Sequence, residues 1–82
     1  MSQPERIEAL SVLHQAGEMG VNGTALSSQA QQYQAWADEL LKSPIPAARQ
    51  LGILLIHTAQ DTRNVLTHME TLAKAANTPN TR

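Results

Sequence analysis

Leu40-Leu41-Lys42-Ser43-Pro44-Ile45-Pro46-Ala47-Ala48 is the stretch that decides the fold of this chain. A residue before proline is pushed out of the α region, so a helix arriving at Lys42 must stop there. Pro46 can open the next helix, because an amide hydrogen in the first turn would have no partner anyway. The corner therefore joins two helices, and the apolar pattern on either side says how they meet.

Upstream, at ~100° per residue, Leu26, Gln29, Ala30, Tyr33, Trp36, Ala37, Leu40 and Leu41 fall within one arc of ~140°. Downstream, Ala48, Leu51, Leu54, Leu55, Thr58, Ala59, Thr62, Val65, Leu66, Met69, Leu72, Ala73 and Ala76 share an arc of similar width. Two striped helices on a sharp corner form an antiparallel hairpin. Its expected core is Leu26, Tyr33, Trp36 and Leu40 against Leu51, Leu55, Thr58, Leu66 and Met69. The second of these helices would be ~45 Å long and the first only ~27 Å. The overhang needs another cover, either an N-terminal helix or a second chain, and the expectation is a homodimer.

Ahead of the hairpin, Ser2 and Glu5 have capping-box spacing with Pro4 in the first turn. Ile7, Leu10, Leu13 and His14 then give a narrow apolar face. Gly17-Glu18-Met19-Gly20-Val21-Asn22-Gly23 breaks it, with Gly17 the expected stop and Asn22 or Thr24 the next cap. The reading is an all-α fold of three helices, near 3–16, 25–42 and 46–76. The short first helix sits on a glycine-rich hinge, the whole forms one domain over 1–76, and a disordered tail follows over 77–82.

Composition agrees with this. The 82 residues contain no cysteine and no phenylalanine, so neither disulfides nor thiolate metal sites can supplement a small core. Charged residues are 16%, against roughly 25% in an average chain, leaving a surface that tolerates close neighbours. Arg6 alone faces Glu5, Glu8, Glu18, Asp38 and Glu39, so residues 1–41 carry −4. Lys42, Arg49, Arg63, Lys74 and Arg82 face only Asp61 and Glu70, so residues 42–82 carry +3. Opposite halves favour packing the last helix against the first two. No apolar run approaches the ~20 residues of a membrane span, and the first residues lack a signal-peptide pattern. The default expectation is a cytoplasmic protein, bacterial or phage in style.

Ile53 and Ile56 stand on the polar side of the last helix, with Arg49 and Arg63 each seven residues from Ile56. Two readings compete. The Ile7–Leu10–Leu13 stripe could pack there, or isoleucine anchors and arginine clamps could meet a partner protein. The candidate partner-binding set is Arg49, Ile53, Ile56 and Arg63, with Ile7 and Leu10 on a mobile first helix. His57, Asp61, Asn64 and His68 share a face, but His57 and His68 are ~16 Å apart along the axis, so a solvated polar face is the better reading. Gln29, inside an apolar arc, needs partners: Thr58 or Thr62 of the same chain is the expected pair, and fixing register between two chains is the alternative.

Leu10–Ala30 has a helix–turn–helix look, yet its polar helix carries no base before Lys42 and its half of the chain is acidic, which disfavours nucleic acid. Gly17, Gly20 and Gly23 make no phosphate loop, and no catalytic, metal or cofactor constellation is spaced for chemistry. The expected function is a non-enzymatic adaptor, inhibitor or chaperone-like factor that occupies a partner surface. An 82-residue helical hairpin with a proline corner is also similar in architecture to secretion-needle subunits. The characteristic C-terminal sequence of that family is absent here. That resemblance implies a structural subunit that polymerises.

Overall fold

The computed structural model describes residues 3–77. Three helices follow one another, α1 (Gln3–Glu18), α2 (Gly23–Leu41) and α3 (Pro46–Asn77), with no strand among the described residues. The expected Ser2 cap and most of the expected tail lie outside that range.

The corner forms as its sequence requires. The Ser43 hydroxyl oxygen accepts from the Ile45 amide at 3.1 Å, and the Ile45 carbonyl accepts from Ala48 and Arg49 at 3.1 and 3.2 Å. Ile45 is thus the N-cap and Pro46 the first helical residue. The Arg49 guanidinium donates to the Ser43 carbonyl at 3.0 Å and ties the corner shut.

Gly17 does not stop α1, which runs on to Glu18. The stop is Gly20, whose φ of +83° is the left-handed value that a C-terminal cap needs. Val21 donates to the Ala16 carbonyl at 2.8 Å and Gly20 to the Gly17 carbonyl at 3.0 Å, the paired bonds of a Schellman cap. Two residues on, Asn22 Oδ1 accepts from the Ala25 amide at 2.9 Å and opens α2 at Gly23. The connection is therefore short and capped on both sides.

Both α1 and α2 pack on α3, and they make no contact with each other. An alanine–glycine seam fixes how α2 meets α3. A Cβ added at Gly52 would lie 3.1 Å from the Ala37 carbonyl oxygen, and one added at Gly23 would lie 3.5 Å from Leu66 Cδ1. These pairs are one antiparallel register two heptads apart, and it sets Ala30 level with Ala59. Ala30, Ala37, Gly52 and Ala59 are buried. Small residues let the helix backbones approach closely, so the seam itself is where the hairpin is tightest.

α1 lies further along α3, also antiparallel. Arg6 Nε donates to the Ala76 carbonyl at 3.1 Å, and Ala9 and Ala76 are buried. That bond satisfies one of the last four carbonyls of α3, which have no partner within the helix. The overhang of α3 thus has α1 packed along it. The result is a rod 59 Å long in which one long helix backs two shorter ones set end to end.

The expected core is the main correction. Trp36 and Leu51 are about half exposed (51% and 50%), and no large side chain is fully buried among the described residues. The apolar arcs centre on large side chains, whereas the hairpin packs on one edge of each arc, where the alanines stand. Leu26, Tyr33, Leu40, Leu55, Leu66 and Met69 are only half-buried, and Thr58 is exposed.

Candidate protein-binding faces

Packing on an arc's edge leaves the rest of the arc displayed. On α2, Leu26, Tyr33, Leu40, Gln29 and Trp36 lie progressively further round from the Ala30–Ala37 seam, reaching about 120° at Trp36. On α3, Leu55, Thr62, Leu51, Thr58, Val65 and Leu54 depart from Ala59 in the same angular sense. An antiparallel pair is related by a two-fold perpendicular to its axes, so flanks displaced in the same sense lie on the same side. The two flanks form one broad face with no charged residue in it. Trp36, Leu51, Leu54 and Val65 on it are each 46–54% exposed.

The polar groups within this face do not pair across it. Thr58 Oγ1 donates to the Leu54 carbonyl at 3.1 Å, and Thr62 Oγ1 to the Thr58 carbonyl at 2.9 Å, both within α3. Gln29 is exposed. The expected bond from Gln29 to either threonine is not formed, because the seam holds Gln29 away from α3, about 100° round α2.

The opposite side of the hairpin carries the strip foreseen in the sequence. Ile53 is exposed there with Arg49, while Ile56 and Arg63 are half-buried along the seam. Across the seam α2 presents Gln34, whose amide donates to Asp38 Oδ1 at 3.1 Å. The alternative that α1 packs on Ile53 and Ile56 is overturned, since α1 meets α3 near Leu72, Ala75 and Ala76 instead. Ile7 and Leu10 are exposed (56% and 48%) on α1, level with the far end of α3 and well away from the strip. The structure thus brings Arg49, Ile53, Ile56 and Arg63 together and leaves Ile7 and Leu10 apart.

Other sequence candidates resolve simply. No group of three His, Asp or Glu side chains is placed to hold a metal ion among the described residues. His57, Asp61, Asn64 and His68 are all exposed. Two concavities among the described residues are open crevices, one beside Gly23, Thr24 and Ser28, the other between α1 and α3 at Glu5, Glu8, Val12 and Leu72. α1 and α2 do not pack on one another as a helix–turn–helix pair would. No helix is long and apolar enough to cross a membrane among the described residues.

The sequence places Trp36 and Leu51 in the expected core and Leu54 on the same apolar arc, so it does not foresee the broad face as an exposed surface. A signal was available: Ala30 and Ala37, like Gly52 and Ala59, repeat every seven residues, as a close-contact seam does. No family model matches the chain, and no curated protein or solved structure matches it either.

Proposed function

We propose that this protein is a small protein-binding module that acts by occupying a partner's surface, without chemistry of its own. The observation that carries the proposal is the inverted use of apolar residues. Alanine and glycine are buried, while Trp36, Leu51, Ile53, Leu54 and Val65 are displayed. A chain that spends its large side chains on its surface gains stability only when something covers them.

The partner-specific strip is Arg49, Ile53, Ile56 and Arg63. Arg63 makes no ion pair or hydrogen bond among the described residues, and Arg49 uses one of its five donors on the corner. Two apolar anchors between two arginines suit a partner helix with apolar and acidic positions on one face. In this reading α1 is an auxiliary arm on its glycine-containing turn, with Ile7 and Leu10 as further contacts. A cytoplasmic setting fits this role.

The test is capture from cells followed by reconstitution with the purified captured protein. Ile53→Asp should abolish binding while helix content and unfolding midpoint stay unchanged, since Ile53 is exposed. Retained binding by a folded Ile53→Asp variant would sink the strip as the site. A second reading, a self-assembling structural subunit, is favoured by the 59 Å rod with apolar groups on both sides. Growth to species of many copies in light scattering would select it.

A further inference from the structure

We infer that the broad apolar face binds a second copy of this chain, closing an antiparallel four-helix core between two hairpins. The inference deepens the proposed function: it assigns one face to self-association and leaves the arginine–isoleucine strip outward on each copy for the partner.

Three observations on the face name its occupant. The first is its pattern. Helices in a four-helix core carry apolar residues at about three positions per heptad, and α2 does so with Ala30, Tyr33 and Trp36. The hairpin by itself buries only the alanine position of the three, so the pattern is written for more neighbours than one chain supplies.

The second is size. Two helices side by side are about 20 Å wide with their side chains. Leu72 and Ala76, where α1 meets α3, project from α3 in the same direction as Leu54 and Thr58, so α1 bounds the face at that end. Arg6 is level with Ala76, so the antiparallel register brings Glu18 level with Asn64. The open face therefore runs from Pro46 to about Asn64, about 27 Å. Its footprint is roughly 550 Å² per copy, about 1,100 Å² for a pair before corrugation is counted. That clears the ~1,000 Å² asked of a biological interface and stops just short of the ~1,200 Å² at which stable ones begin, which suits a reversible, concentration-dependent pair.

The third is self-fit. A second copy turned antiparallel offers a face of the same 27 Å, and the two interlock if the two-fold axis passes level with Leu55 and Tyr33. Each α1 then abuts the corner of the other copy. That places Met19 of one copy level with Ile45 of the other. These are the two most exposed large apolar side chains among the described residues, at 72% and 60%, and nothing in the single chain explains either. The same operation brings the two Trp36 side chains within about one helical turn of each other. A membrane surface is the poorer occupant, because no basic rim surrounds the face.

The experiment is sedimentation equilibrium on the full chain from about 1 to 200 µM, with the unfolding midpoint measured over the same range. A reversible monomer–dimer equilibrium is expected, with a midpoint that rises with concentration and Trp36 emission that shifts to the blue as dimer forms. Leu54→Glu should weaken association more than tenfold, whereas Ile53→Glu on the opposite side should leave it unchanged. Leu54 is 54% exposed, so a folded monomer should tolerate the change. If Leu54→Glu failed to fold, Trp36→Gln would carry the same arm. A wild type that stays monomeric at 200 µM, open-ended growth, or a Leu54→Glu variant with wild-type association would each overturn the inference. Partner loss in Ile53→Asp with an intact dimer separates the failure of one proposal from the failure of the other.

Discussion

At Gly52 an added Cβ would sit 3.1 Å from the Ala37 carbonyl oxygen, 3.2 Å from Leu41 Cγ and 3.3 Å from Leu40 Cβ. The nearest of these atoms is backbone, so the contact cannot be relieved by a side-chain rotation. Gly52→Ala should gain about 1 kcal/mol of helix propensity and lose about 1–3 kcal/mol to crowding at the seam. The net expectation is destabilisation of up to about 2 kcal/mol. Gly17→Ala supplies the control. Gly17 also lies inside a helix, but an added Cβ there meets nothing within 4 Å. That variant should gain up to about 1 kcal/mol, less near a helix end. Because propensity favours both changes, their difference of about 1–3 kcal/mol measures the close approach of α2 and α3. Urea titrations followed by the helical circular dichroism signal resolve this, provided all variants are compared at one protein concentration. In thermal melts each kcal/mol should appear as about 4–8 °C. Should Gly52→Ala be stabilised as much as Gly17→Ala, the alanine–glycine seam is not the contact that holds the hairpin.

Two further changes probe the ends of α1. Gly20→Ala places a Cβ on a φ of +83° with open space around it, so its cost is backbone strain of about 1–2 kcal/mol, read in the same titration. Arg6→Ala removes the bond to the Ala76 carbonyl and about 1 kcal/mol of α1 docking. Amide exchange should then speed up about fivefold across α1 while α2 and the paired half of α3 keep their protection, and uniform change along the chain would contradict local docking.

The corner, the number of helices and their limits to within two residues were legible in the sequence. These are local matters: a proline after Ser43 and another after Ile45 forbid helix, and Asn22 carries the side chain that caps α2. The strip of Arg49, Ile53, Ile56 and Arg63 was legible for the same reason, since spacing along one helix puts them on one line. Gly17 and Gly20 were harder to tell apart, because either glycine could supply the positive φ and only the bond from Val21 to Ala16 shows which one does.

The sequence by itself therefore determined three helices, one sharp corner and two apolar stripes, because backbone sterics and helical periodicity act within a few residues. Which edge of each stripe would be consumed was decided only in the tertiary structure. Ala30, Ala37, Gly52 and Ala59 let two backbones come close, and that contact turned Trp36 and Leu51 from expected core to surface. A projection gives the direction of every side chain but not the angle at which a neighbouring helix arrives, and that angle was set by the pairing of Ala37 with Gly52.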